Sequence, residues 1–332
     1  MTKKIFFGNY KGGVGKTTTV YEIGAHLAND YKKKVLLIDL DPQCSLTKIC
    51  SKISDIYLPK LEVEETLNYL IELYDEYVSV ASKLELLEGE IKTNHNLINR
   101  TIKNISKYTS DEGKLDFIPT VLDMKNARLN DIAEKLLKNS LGVLTISKLI
   151  NDIITKDGRE YDYILFDCPP TSNTIIQGVF LSSDYYLIPT ISDEISIDGV
   201  ADYITEIEST YVKYAYDNCI GGILLKKYFG NKPKLIGILP NIYKSRTGES
   251  QSEHILESLD KSITKMGIES LIKGTNFVDK PLSHIFNVKI RHLDNRSDPK
   301  KYGIPITISN GDIHKEYEQI SKIFIEVLED NI

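Results

Sequence analysis

The stretch KGGVGKTTT (Lys11 to Thr19) leaves this chain few folds to choose from. It is entered from a short apolar run rich in β-formers, KKIFFGN (Lys3 to Asn9). It leads into TTTVYEIGAHLAND, where Val20, Ile23, Ala25 and Leu27 recur at helical spacing. A glycine-rich turn between a buried strand and a helix N-terminus is a cradle, with backbone N–H groups facing phosphate oxygens. A second apolar run, KKVLLIDLDPQ (Lys33 to Gln43), completes a strand, loop, helix, strand unit. The match to G-x-x-x-x-G-K-[ST] lacks one glycine, because Tyr10 stands where it is required, and Lys11 beside it is an extra cation.

Further strand-like runs follow: LDFIPT (Leu115 to Thr120), YDYILFDCPP (Tyr161 to Pro170), SDYYLIPT (Ser183 to Thr190) and LIGILPN (Leu235 to Asn241). Helix-like segments such as DIAEKLLKNSLGVLTISKLINDII lie between them. This alternation predicts an α/β fold, a doubly wound, mostly parallel sheet with helices on both faces. Residues 51–114 break the rhythm with a helix-like polar segment, read either as a solvated insertion that extends the core or as a partner-binding element. With no internal repeat or low-complexity linker, the expectation is one P-loop domain over residues 1–332, with that insertion and a C-terminal helix at about 312–330.

The 332 residues carry a formal charge of −6, with 41% hydrophobic and 27% charged side chains, which excludes a chain that is basic throughout. Cys44, Cys50, Cys168 and Cys219 form no C-x-x-C pair, so they read as reduced thiols of a cytoplasmic protein. The apolar run at the N-terminus is too short for a signal peptide, and no stretch reaches the length of a membrane span.

In the loop, Gly12, Gly13 and Gly15 let the backbone turn with its N–H groups inward. Lys16 reaches the β- and γ-phosphates, and the Thr17 hydroxyl suits Mg²⁺. Thr18 either caps the helix or touches the α-phosphate. Asp167 closes its strand as a carboxylate on the metal side would. Asp39 and Asp41, two apart, are expected to leave the strand on one face, one in the outer shell of the metal and the other orienting the attacking water.

KGGVGKTTT with its early lysine, VLLIDLDPQ, YDYILFDCPP and YLIPT together resemble the ParA/MinD group of deviant Walker A P-loop ATPases. DLDPQ and ILPNIYKSRTGES resemble its ParA branch, which partitions plasmids and chromosomes. The likeness covers residues 1–50 and 115–250 well, the last third loosely and 51–114 poorly. It implies an ATPase using ATP and Mg²⁺, with Lys11, Lys16 and Asp41 as catalytic residues. Gly12, Gly13, Val14, Gly15, Lys16, Thr17, Thr18 and Asn241 would bind the nucleotide, and Thr17, Asp39 and Asp167 would serve the metal. Lys11 would cross a sandwich-dimer interface to the phosphates held by the second subunit, and Asp41 would activate water. Cys44 departs from the family, which has a small glycine after DPQ.

Two basic stretches stand out in an acidic chain. The first, between Gly221 and Gly248, holds Lys226, Lys227, Lys232, Lys234, Lys244 and Arg246; the second, between Ser283 and Gly303, holds Lys289, Arg291, Arg296, Lys300 and Lys301. They are candidates for a phosphate-binding patch, and the resemblance implies nonspecific double-stranded DNA as its ligand, with Lys244, Arg246, Arg291 and Arg296 as contacts. It also implies a homodimer formed on ATP binding, a ParB-type centromere-binding partner, and nucleoid association of the ATP form. The loop starts too early to leave room for an N-terminal helix-turn-helix domain. A MinD-like membrane role is the alternative. Against it, the segment from Asp312 carries six acidic residues and two lysines, and its apolar stripe suits docking on the sheet. A small-carboxylate ligase is disfavoured by Lys11, and an iron–sulfur relative by the want of a second cysteine to match Cys168.

Overall fold

The computed structural model describes residues 1–83, 95–105, 112–122, 127–139, 141–155, 161–192, 194–217, 222–241, 249–272, 282–290 and 312–329. The strands are β1 (Lys3–Phe7), β2 (Lys34–Asp39), β3 (Lys103–Asn104), β4 (Lys114–Ile118), β5 (Tyr163–Asp167), β6 (Tyr185–Ile191) and β7 (Lys234–Asn241). They form one sheet in the order β3-β4-β2-β5-β1-β6-β7. Every pairing is parallel except that of β3 with β4. The doubly wound sheet expected from the sequence is therefore present, and β1, which launches the phosphate loop, sits between β5 and β6.

Helices cover both faces because neighbouring strand residues point opposite ways. Ile5, Phe7, Val35, Leu37, Tyr163 and Leu165 share one core with α1 (Lys16–Asn29), α2 (Ser45–Ile53) and the C-terminal helix α11 (Asp312–Glu329). Phe6, Leu36, Ile38, Ile164 and Phe166 point to the other core. That face carries α3 (Leu67–Lys83), α4 (His95–Thr101), α5 (Leu129–Leu137), α6 (Gly142–Thr155), α7 (Thr174–Ser182), α8 (Glu194–Val212), α9 (Gly222–Phe229) and α10 (Glu249–Lys265).

Several expectations are refined. The long helical stretch from Asp131 is two helices, α5 and α6, and the α6 start approaches closely: a Cβ on Gly142 would stand 2.2 Å from the Leu136 carbonyl oxygen. In the 51–114 segment, Leu67, Leu70, Ile71, Tyr74, Ile98 and Ile102 are buried in the same core as the strands. Its two-residue strand β3 lies antiparallel on β4, and Asn104 donates to Asp116 at 2.7 Å. That strand was not legible in the sequence, since two polar residues carry no alternation.

The apolar stripe of α11 docks as expected. Ile320, Ile323, Phe324, Val327 and Leu328 are buried, and Phe324 stacks on Phe7 of β1 with ring centroids 6.4 Å apart. Glu329 closes the contact, accepting from the Tyr163 hydroxyl at 2.6 Å and from the Lys33 ammonium at 2.8 Å.

Candidate nucleotide and magnesium site

All the elements of the site meet at the C-terminal edge of the central strands. Gly13 and Gly15 adopt left-handed φ values of 76° and 84°, which a side-chain-bearing residue holds only at a cost. The turn they allow delivers Lys16 as the first residue of α1, with Gly15 as its N-cap. No side chain caps the helix, so Thr18, which is buried, does not act as the cap. The Lys16 side chain folds back across the loop and donates to the carbonyl oxygens of Asn9 and Lys11, both at 3.0 Å. Burial lowers its pKa, opposed by the charges of Asp167 and Asp41. Lys11 is half-buried, its backbone N–H donating to the Asn9 side chain at 2.9 Å.

Behind the loop, Asp39 and Asp167 stand in register on adjacent strands, and both are 1% exposed. They continue the alternation of Leu37 and Leu165, so both turn to the face that carries α1. Asp39 is committed to the fold: it accepts from the Thr47 N–H at 2.8 Å and the Asp41 N–H at 3.2 Å. Asp41, expected on the same strand, lies beyond its end. The strand stops at Asp39 and the chain turns, with Asp41 accepting from the Gln43 N–H at 2.8 Å. Proline at position 42 cannot donate to a neighbouring strand, which ends the ladder there. Asp41 is half-buried and lines a cleft of about 400 Å³ together with Gly12, Lys16, Thr17, Asn130 and Thr171.

Burial pushes the Asp167 carboxyl well above its ordinary range, and the charge of Asp39 pushes the same way. The Thr17 hydroxyl bonded to it and the Lys16 ammonium pull it down. Burial likewise raises Asp39. The charges of Asp167 and Asp41 thus act on one buried lysine, and Asp39 lies beside Asp167. One oxygen of Asp167 is buried without a hydrogen-bond partner in the structure. An orphaned carboxylate oxygen beside a threonine hydroxyl fits a hydrated divalent cation. Among the described residues no three His, Cys, Asp or Glu side chains converge as a cage. Mg²⁺ suits such a place, since it keeps waters and phosphate oxygens as ligands and takes few from protein.

Asn241 is brought to the loop, but beneath it. Its amide donates to the Val14 carbonyl oxygen at 2.9 Å and the Thr19 hydroxyl at 3.0 Å, and it is 2% exposed. Val14 likewise contributes a buried side chain and a tethered carbonyl. Sequence reasoning passed over Asn9, whose side chain ties the loop to the Pro189 carbonyl at 2.9 Å, and Thr47 and Thr120, which brace Asp39. Asparagine directly before a glycine-rich turn is the one signal that could have pointed there. Cys44 holds φ 54°, a left-handed conformation that a glycine would adopt without strain.

The proposed DNA contacts Lys244, Arg246, Arg291 and Arg296 lie outside the described residues. Of the first basic stretch, Lys226 and Lys227 lie in α9, and Lys234 begins β7, at the end of that strand opposite Asn241. Lys232 pairs with Glu208, and Lys289 with Glu253 at 3.4 Å.

A family model described as AAA domain matches residues 2–218. The sporulation initiation inhibitor protein Soj of Bacillus subtilis is 28% identical over 225 residues, 68% of this chain and 72% of its own length. The chain belongs to the ParA family of P-loop ATPases. It therefore carries the ATPase site of that family, hydrolysing ATP to ADP and phosphate. Solved structures of low identity agree on the ParA-like fold. A putative plasmid partition protein of Borrelia burgdorferi bound to AMPPNP is 17% identical with a TM-score of 0.58, covering 100% of both chains. Cobyrinic acid a,c-diamide synthase of Mycobacterium smegmatis, with a bound ATP analog and magnesium, is 18% identical with a TM-score of 0.62, covering 100% of this chain and 98% of its own. Among the described residues no helix is long and apolar enough to cross a membrane.

Proposed function

We propose that this ParA-family ATPase is a DNA-partition switch built as a single P-loop domain over residues 1–332. ATP and Mg²⁺ bring two copies together, the dimer binds DNA without sequence preference, and hydrolysis stimulated by a ParB-type partner releases it. The observation that carries the reading is the division of labour between two lysines of one loop. Lys16 is drawn inward by the Asn9 and Lys11 carbonyl groups, at 3.0 Å each, whereas the Lys11 side chain is only half-buried. A partly exposed lysine beside the loop suits phosphates held by a facing subunit, where its charge stabilises the γ-phosphate only when two loaded copies meet.

In this reading Lys16 binds the β- and γ-phosphates, Thr17 and Asp167 hold Mg²⁺ with its waters, and Asp39 fixes the turn that presents Asp41. Asp41, at the cleft wall, orients the attacking water. The cation supplies charge neutralisation between the phosphates. Intrinsic turnover is slow, because one water-orienting acid without further cations accelerates phosphoryl transfer little. The protein works in the cytoplasm, on the nucleoid when ATP is bound. The membrane-positioning alternative finds no support in α11, whose apolar stripe is taken up by α1 and β1.

The test is size-exclusion chromatography with light scattering, with and without ATP and Mg²⁺, paired with binding to random duplex DNA at two salt concentrations and to anionic liposomes. ATP-dependent dimers with salt-sensitive DNA binding are expected. Lys11→Ala should abolish the dimer while keeping most of the nucleotide affinity, and equal loss of both would refute the role in trans. ATP-dependent binding to liposomes but not DNA would refute the partition reading.

A further inference from the structure

Two aromatic side chains meet where the loop leaves β1. The Tyr10 ring packs edge-on against Tyr203 of α8, with centroids 4.6 Å apart and an interplanar angle of 78°. Tyr203 is 1% exposed. Its hydroxyl fills the space beside Gly8, where an added Cβ would stand 2.1 Å from the oxygen. Gly8 therefore admits α8 to the base of the loop, and Tyr10 grips the residue so admitted. The glycine that the general pattern requires at position 10 has a counterpart two residues upstream, with a different task.

What the grip holds is the turn from Asn9 to Lys11. The Lys16 ammonium lies between the carbonyl groups of those two residues, on either side of Tyr10. Asn9 fastens one end of the turn to β6 through the Pro189 carbonyl and also accepts from the Lys11 N–H, at 2.9 Å in each case. Tyr10 is fixed to α8 by its ring on Tyr203 and by its hydroxyl, which bonds to Glu206; without that side chain the middle of the turn loses its anchor on the α8 side, and the two carbonyls are no longer held at the convergence that aims the lysine.

We propose that Tyr10, clamped on Tyr203, is a positioning residue for Lys16, fixing the Asn9 to Lys11 turn whose carbonyl groups hold the ammonium at the phosphates. The proposal rests on the ATP-binding role of the loop and on nothing in the DNA or dimer reading. Restoring the general pattern with Tyr10→Gly should weaken the site.

The experiment titrates the purified full-length chain with a fluorescent ATP analogue and Mg²⁺, alongside thermal unfolding of each variant. Tyr10→Ala and Tyr10→Gly are expected to raise Kd about three- to tenfold, the span an edge-on aromatic pair supports. The unfolding midpoint should stay near that of the unaltered chain, because Tyr10 is only half-buried. Tyr10→Phe keeps the ring and gives up only the hydroxyl bond to Glu206, so it should lose clearly less affinity than Tyr10→Ala. Gly8→Ala, which displaces Tyr203 without removing either ring, should weaken binding as Tyr10→Ala does. Unchanged affinity in Tyr10→Ala, or an equal loss in Tyr10→Phe, overturns the clamp. Failure of the unaltered chain to bind nucleotide would overturn the ATP-site reading beneath it as well.

Discussion

Replacing Asn241 separates two accounts of how this residue serves the site. Its family resemblance makes it a nucleotide contact, whereas its position makes it a tether: the amide donates to the buried Val14 carbonyl at 2.9 Å and to the Thr19 hydroxyl at 3.0 Å. Asn241→Ala removes both donors and leaves the Val14 carbonyl desolvated and unpaired, a defect worth roughly 1–3 kcal/mol. Part is offset, because the Asn241 carbonyl oxygen is itself buried without a partner and goes with the side chain. The net expectation is a loss of about 2 kcal/mol, read in urea unfolding of the nucleotide-free chain. Asn241→Asp should be worse than Asn241→Ala, since it sets a carboxylate against a carbonyl oxygen and strands a buried charge, at about 3–5 kcal/mol. The tether also predicts weaker ATP binding in proportion, as the loop loses its support. Full stability in Asn241→Ala with nucleotide affinity alone reduced would refute the tether and restore the direct contact.

Phe324→Ala should destabilise the chain by about 3–5 kcal/mol in urea unfolding, because a fully buried ring is lost from the α11 dock. Asp167→Asn is expected to raise the Mg²⁺ concentration for half-maximal hydrolysis about tenfold or more, measured by metal titration, while nucleotide binding without metal persists. The metal-free protein should lose stability as pH rises from 3.8 to about 7, because burial raises Asp39 across that range and the folded state then holds a proton the unfolded chain releases. Thermal midpoints in a chelator across this window, compared with Asp39→Asn, check the slope, which the variant should flatten. A slope of opposite sign would mean that Asp39 is stabilised as its anion.

The sequence by itself determined the six parallel strands of the sheet and the phosphate loop, but not β3 or the bracing residues Asn9, Thr47 and Thr120. The signals were local: apolar runs ending in aspartate, glycines at fixed spacing, and a helical period immediately after. The C-terminal helix was equally legible, because a stripe at three- and four-residue steps needs an apolar surface to cover it. Tertiary structure decided what those residues do to one another. Asp39 and Asp167 lie far apart in the chain and become buried neighbours only through the β2 and β5 register. Asp41 left the strand face assigned to it because the strand stops at Asp39 and the chain turns. Tyr10, read from the pattern as a missing glycine, acquires its partner from α8, nearly two hundred residues away. Pattern reports what one segment needs, but pairing across the core depends on which segments the sheet order brings together.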